Sequence, residues 1–132
     1  MRTQRTVRHF VDQYIHYLLQ TGHRFEQVIT THGQLDYFTE WADRRHVVDI
    51  DQLEYALASD YCDHLQGELD LFKEKPIRTR IFRERLTKLR RFYDWLFRKG
   101  HLQSDLSKSV PRISKAGQVT RDTTFKLADL VA

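Results

Sequence analysis

The chain has 132 residues, 40% of them hydrophobic and 12% aromatic, which is enough apolar material for one domain with its own core. Its single cysteine excludes an internal disulfide, and its polar amino terminus and lack of a long apolar run disfavour secretion and a membrane span. We therefore expect a cytoplasmic protein with no membrane partner.

The first predicted helix covers about residues 6 to 21. Thr6 can cap its amino terminus, and Gly22 stands where a glycine commonly ends a helix. Apolar residues recur between them at steps of three and four, as on one helix face: Val7, Phe10, Val11, Tyr14, Tyr17 and Leu18.

Two further helices are predicted in the middle of the chain. The second runs from about Thr30 to Arg45, with Trp41 as its strongest core anchor. The start of the third is ambiguous because Asp51 and Ser59 can each cap a helix, and Ser59 is favoured. A weaker helical turn is predicted over residues 53–57.

The fourth predicted helix is the clearest. It starts near residue 77 or 79 and runs to Lys99, with Gly100 as its end. Five apolar residues form its predicted core seam: Phe82, Leu86, Leu89, Tyr93 and Leu96. A short fifth turn is predicted over Ser104–Ser109, and no segment shows the period-two alternation of a strand.

The predicted fold is therefore all-α, a compact bundle of four to five helices with a flexible C-terminal tail. The helical domain is predicted to occupy residues 1–112. Beyond Pro111 the chain becomes poor in large apolar residues, so residues 113–132 are interpreted as a linker or tail. The last eight residues, FKLADLVA, are apolar again but too few to form a unit.

Positive charge is concentrated in the fourth helix. Residues 73–99 hold eleven Lys or Arg against three acids, a net +8, so the other 105 residues carry −4 of the chain's +4. Residues 23–72 are the acidic part, with eleven Asp or Glu against three basic residues. This polarisation indicates a polyanionic partner and favours nucleic acid.

The polar side of the fourth helix provides the predicted contacts to double-stranded DNA. Arginine predominates there, and its planar fork can bind phosphates and guanine edges. The candidate DNA-binding residues are Arg80, Arg83, Thr87, Lys88, Arg90, Arg91 and Arg98. The alternative is a basic helix face that is merely solvated, and the charge polarisation together with the lack of Glu/Lys alternation argues against it.

Catalytic and metal sites are not indicated by the residues. The chain has no Gly-rich phosphate loop, no G-x-S-x-G and no H-E-x-x-H, and its six tyrosines are interpreted as core or rim aromatics. His9, His16 and His23 recur every seven residues and Cys62 lies two before His64, whereas helical zinc ligands favour i, i+4 spacing. We therefore expect no catalysis, no cofactor and no metal in this chain.

One segment is similar to a known family. Residues 83–114 read RERLTKLRRFYDWLFRKGHLQSDLSKSVPRIS, which resembles the end of the amino-terminal core-binding domain of tyrosine recombinases, the phage integrase family. Nine residues fit the family pattern: Leu86, Leu89, Arg90, Phe92, Tyr93, Trp95, Leu96, Gly100 and Leu102. The segment QLDYFTEWADRR resembles the family's second helix, so the resemblance covers about residues 6–114. The family usually has Asn-Pro where this chain has Asp105 and Leu106.

This resemblance implies a SAM-like helical bundle that forms half of a clamp around DNA, with the second and fourth helices facing the major groove. It implies a recombinase catalytic domain beyond the linker, so the chain itself is expected to bind DNA, specifically or semi-specifically, without cutting it. We expect a bacterial or phage-encoded chain that is monomeric alone, and a parent that oligomerises on DNA. Two alternatives stay open: a helical protein-interaction module with polarised charge, and an accessory helical domain of another nucleic-acid enzyme.

Overall fold

Four α-helices make up most of the computed structural model, which describes residues 5–71, 75–114 and 118–120. In chain order they are α1 Val7–Gln20, α2 Phe25–Arg44, α3 Tyr55–Asp70 and α4 Lys75–Arg98. Two short 3-10 turns, Ile50–Gln52 and Leu106–Ser109, precede α3 and follow α4. An antiparallel hairpin of β1, Arg112–Ile113, and β2, Val119–Thr120, comes last. The prediction of a small all-α bundle is confirmed.

The helix α1 begins and ends where its sequence signals lie. The side-chain oxygen of Thr6 accepts a hydrogen bond from the backbone N–H of His9 at 3.1 Å, which caps the amino terminus. At the other end Gly22 has a φ of +83°, and the amides of Gly22 and His23 donate to carbonyls of the last turn. This is a Schellman ending, in which a left-handed residue reverses the chain.

The helices α4 and α2 end with the same hydrogen-bond pattern. In α4 the left-handed residue is Gly100, with a φ of +79°, as predicted from the sequence. In α2 it is His46, with a φ of +65°. A side chain bearing a Cβ is strained in this conformation, so the end of α2 carries a cost that the glycine endings avoid.

The helix α2 starts about five residues earlier than predicted, at Phe25 rather than near Thr30. Its N-cap is Arg24, which makes no side-chain capping hydrogen bond, so the sequence offered no capping residue at this position. The extra turn buries Val28, which is 3% exposed, and this packing decides the start of the helix.

The helix α3 also starts earlier than predicted, at Tyr55, so the favoured cap Ser59 lies inside it. The first turn buries Leu57 and Ala58 in the core, which favours helix over a loop at this point. The weak turn predicted over residues 53–57 is replaced by the Ile50–Gln52 turn and the beginning of α3.

The helix α4 lies at the centre of the bundle and contacts the other three helices. All five residues of its predicted seam are buried, and so are Phe92 and Trp95. The Trp95 ring packs against Tyr14 of α1, with 5.3 Å between the ring centroids. The chain's single cysteine, Cys62, is fully buried in α3.

The fifth predicted turn is present as Leu106–Ser109. Asp105, which stands in place of the family's asparagine, accepts a hydrogen bond from the backbone N–H of Ser107 at 3.0 Å through its Oδ1. Leu106 and Ser109 are both buried, so this turn closes one end of the bundle. The Asp105 cap therefore stabilises the start of this turn, although the chain lacks the proline of the family pattern here.

The part of the predicted linker that the structure describes forms the β1–β2 hairpin, although the sequence disfavoured strands. Each strand has only two residues, which is too short for an alternating pattern to appear. β1 contacts α4, and the Ser114 amide donates to the Gln118 carbonyl oxygen at 2.9 Å. Residues 115–117 and 121–132, which include the predicted tail segment FKLADLVA, lie outside the described residues.

Candidate nucleic-acid interface

The outer side of α4 carries a line of basic residues. Arg80, Arg91 and Arg98 are exposed, and half-buried Thr87 lies between them on the same side; we call these four residues the basic face. The side chains of Arg80 and Arg98 are 73% and 75% exposed. At 1.5 Å per residue the face is about 27 Å long, and the major groove, about 12 Å wide, admits a helix. These are four of the seven predicted contact residues.

Two carboxylates interrupt the basic face. Glu84 Oε1 lies 3.8 Å from Arg80 Nε, and Asp94 Oδ2 accepts a hydrogen bond from Arg98 Nε at 2.7 Å. Both are exposed pairs one helical turn apart, a type that contributes about 0.3–0.5 kcal/mol. A bound polyanion would therefore displace only weak internal pairs.

Arg83 and Arg90 occupy one flank of α4 and hold the beginning of the linker. Arg83 Nε donates to the backbone carbonyl of Ile113 at 3.1 Å, and Arg90 Nη2 donates to that of Pro111 at 3.0 Å. A guanidinium has five N–H donors, so each side chain retains donors beyond this contact. In the structure these two predicted DNA-contact residues bind the backbone that follows the Leu106–Ser109 turn and so position it on α4.

Lys88, Arg90, Arg91 and Arg112 form a crowded set of cations around the basic face. Burial lowers the pKa of Lys88, and the charge of Arg91 lowers it further, while Glu84 opposes the shift. Burial also lowers the pKa of Arg90, and the charges of Arg112 and Arg91 add to this effect. An anion bound among these groups would relieve their repulsion. Arg112 was not predicted as a contact, and the basic character of the linker was its only sequence signal.

The opposite flank of α4 is tied to α2 and α3. The Tyr37 hydroxyl donates to Glu68 and lies 3.2 Å from His64 Nε2. The guanidinium carbon of Arg85 lies 3.8 Å from the centre of the Tyr37 ring, and Arg85 Nη1 is 4.0 Å from Glu68 Oε1. Burial, together with the hydrogen bond to Glu68, raises the pKa of Tyr37 to about 12. Arg85 is thus used within the bundle and does not join the basic face.

The described part of the chain contains no group of three His, Cys, Asp or Glu placed to hold a metal ion. Cys62 is buried, and His64, two residues later, lies against Tyr37 and Glu68. His23 Nδ1 lies 3.2 Å from the backbone carbonyl oxygen of Leu18 and so donates to it. This contact fixes the imidazole at the turn between α1 and α2.

No family model, curated protein or solved structure matches this chain. Among the described helices, none has both the length and the apolar character needed to cross a membrane. The function is therefore inferred from the geometry and charge of the basic face.

Proposed function

We propose that this chain binds double-stranded DNA through the basic face of α4, as the amino-terminal clamp domain of a site-specific tyrosine recombinase. The outer side of α4 enters the major groove, where Arg80, Arg91 and Arg98 contact phosphates or guanine edges. The Thr87 hydroxyl, between them, donates to a phosphate. This chain supplies binding, and strand cleavage belongs to a separate catalytic domain of the recombinase.

The observation that carries this proposal is the excess of cations on one side of α4. Three exposed arginines of the basic face, with Lys88 and Arg112 beside them, outnumber the two carboxylates Glu84 and Asp94 in the same region. Duplex DNA carries about one negative charge per 1.7 Å of its axis, and each phosphate neutralised releases condensed counterions. A rigid helix with this charge distribution suits that partner.

The helix α2 has a smaller part in the proposal than the family resemblance implies. Its exposed residues include Glu26, Glu40 and Asp43, whose carboxylates would repel phosphates in a groove. DNA binding is therefore assigned to α4 and to the cations beside it.

Measuring duplex binding as a function of salt tests the DNA part of the proposal. We expect log K for the wild type, followed by fluorescence anisotropy between about 50 and 200 mM salt, to fall steeply and linearly with log [salt]. Changing Arg80, Arg91 and Arg98 together to Gln should make the slope shallower by up to about 2.7, which is roughly 0.9 for each lost phosphate contact. Thermal unfolding should change little, because all three side chains are exposed.

A charge-matched control separates a specific face from net charge. The triple variant Arg8→Gln, Arg24→Gln and Arg44→Gln removes the same charge from exposed positions on α1, at the N-cap of α2 and on α2. We expect it to bind almost as the wild type does. If the two triple variants lose affinity equally, or if the wild type shows no binding at low salt, the assignment to α4 is wrong.

The recombinase assignment is the finer part of the proposal. It is supported by the burial of the family-pattern residues Leu86, Leu89, Phe92, Tyr93 and Leu96, and by the left-handed Gly100 that follows them. We expect the reading frame that encodes this chain to encode a recombinase catalytic domain after the linker. A different nucleic-acid enzyme in that frame would instead favour the accessory-domain alternative.

One observation favours the second candidate function, a protein-interaction module. Phe25 and Ile29 lie one turn apart on α2 and are 66% and 55% exposed, although both are large and apolar. Exposed apolar pairs of this kind suit contact with another protein. This candidate predicts no salt-dependent duplex binding, so the same anisotropy measurement decides between the two.

A further inference from the structure

A small cavity lies beside the basic face, between α1, α2 and α4. Its volume is about 70 Å³. A single water needs roughly 10–15 Å³, so the cavity can hold a larger group. Lys88 and Arg91 of α4 form one wall, and Arg91 belongs to the basic face as well.

The lining of this cavity is rich in hydrogen-bond donors. α1 contributes the Tyr14 hydroxyl, and α2 contributes Gln27 and Thr31. His23 also lines the cavity, but its Nδ1–H donates to the Leu18 carbonyl. Among the described residues that line the cavity, none is acidic. A cavity with two cations, several neutral donors and no carboxylate is complementary to an anion that offers several acceptor oxygens.

Thr31 supports this interpretation. It is only 4% exposed and lines the cavity from α2. Its hydroxyl can donate a hydrogen bond to a ligand oxygen in the cavity.

Arg91 and Lys88 are placed to act on the same ligand. Arg91 lies within electrostatic reach of the Tyr14 phenol as well as of Lys88, because its charge affects the pKa of both groups. Two neighbouring cations on a partly buried wall repel each other, and an anion between them removes that repulsion.

We propose that this cavity is a phosphate-binding site. This inference rests on the proposed function: the ligand is one backbone phosphate of the duplex. It is held at the α1–α2 side of α4 while the basic face lies in the groove. Lys88 and Arg91 supply the charge, and Thr31 and Gln27 donate from the facing wall. This site would fix the rotation of α4 about its own axis relative to the DNA backbone, because the opposite flank of α4 holds the linker.

A titration with inorganic phosphate tests the cavity alone. We expect NMR signals of the Gln27 side-chain amide and of residues around Thr31 to shift and saturate with phosphate, compared with sodium chloride at equal ionic strength. The variant Lys88→Met keeps the apolar stem, and Thr31→Val keeps the shape. Lys88→Met should weaken phosphate binding by about 10-fold or more, as expected for loss of a charged hydrogen bond. Thr31→Val should weaken it by a smaller factor.

Arg44→Gln is the matched control, because it removes an exposed charge from α2 that lies outside both the cavity lining and the basic face. Its phosphate titration should equal that of the wild type. Shifts that do not saturate, or that stay unchanged in both Lys88→Met and Thr31→Val, overturn the site. Circular dichroism of each variant checks that the fold is kept.

A second measurement, on duplex DNA, separates this inference from the proposed function. Lys88→Met should reduce the salt slope of duplex binding by about 0.9, the value for one phosphate contact. An unchanged slope overturns the assignment to a backbone phosphate. If the wild type binds no duplex at all, the proposed function fails. The titration with inorganic phosphate then tests by itself whether the cavity binds phosphate.

Discussion

Single residues on α4 could be assigned an outward or inward direction from the sequence, because helical periodicity fixes direction. Arg80, Arg91 and Arg98 are exposed as their spacing predicts, and Leu89 is buried. The partners of Arg83 and Arg90 could not be predicted. Both arginines donate to carbonyls of residues 111 and 113, which approach α4 only after the chain has turned back through the Leu106–Ser109 turn.

Asp94→Asn should tighten DNA binding. Asp94 holds Arg98 Nε at 2.7 Å and adds a negative charge to the face that meets phosphates. Removing it should raise duplex affinity about fivefold at low salt, corresponding to ~1 kcal/mol of Coulomb energy near contact in water, measured by anisotropy. The free energy of unfolding should fall by less than about 0.5 kcal/mol, the value of an exposed i, i+4 pair.

Asp60→Asn provides the matched control for this prediction. Asp60 of α3 pairs at 3.5 Å with Arg45, the residue that follows α2, so the substitution removes the same charge and frees an arginine away from the basic face. Its effect on duplex affinity should be clearly smaller. Equal tightening in both variants would mean that net charge, and not the basic face, controls binding.

At the level of elements, the predictions succeeded where a helix carries its own end signals. α1 and α4 have Thr6, Gly22 and Gly100 at their predicted boundaries. α2 and α3 start where tertiary packing of Val28 and Leu57 extends the helix, and no local signal in the sequence marks those positions.

His46→Gly should stabilise the protein. His46 ends α2 with a φ of +65°, a conformation that costs a residue with a Cβ about 1–2 kcal/mol and costs glycine little. Part of that gain is offset by the larger conformational freedom of glycine in the unfolded chain, so we expect an increase of about 0.5–1 kcal/mol in urea unfolding.

The reverse change at the end of α4 tests the same reasoning. Gly100→Ala should lower the free energy of unfolding by about 1 kcal/mol, because the φ is +79°. An added Cβ would meet no atom within 4 Å, so the loss would come from the backbone alone. A stabilising effect of Gly100→Ala would contradict this account of the helix endings.

Arg83→Met should loosen the β1–β2 hairpin. The guanidinium Nε donates to the Ile113 carbonyl at 3.1 Å, next to Ser114, whose amide closes the hairpin. We expect hydrogen exchange at the Ser114 amide to become several-fold faster. Arg80→Met, at an exposed position on the same helix, should leave the exchange rate of this amide unchanged. Equal exchange rates in the two variants would show that Arg83 does not position the hairpin.

For the whole molecule, the buried residues of α4 should control stability, and its exposed residues should control DNA binding. Leu89→Ala empties a fully buried position and should cost about 3–5 kcal/mol of unfolding free energy, measured with urea. Phe97→Ala, on the same helix but 39% exposed, should cost much less. Neither change should alter the salt slope of the molecules that remain folded, and a changed slope in Leu89→Ala would mean that the core also shapes the DNA contacts.

The buried position of Cys62 allows local opening of the domain to be measured through the reactivity of its thiol. Because this sole thiol is fully buried in α3, an alkylating reagent can reach it only when the surrounding packing gives way. The rate of alkylation would therefore report how often the packing around Cys62 opens, without any introduced label. A DNA ligand that engages only the closed form should slow that chemistry in proportion to its occupancy.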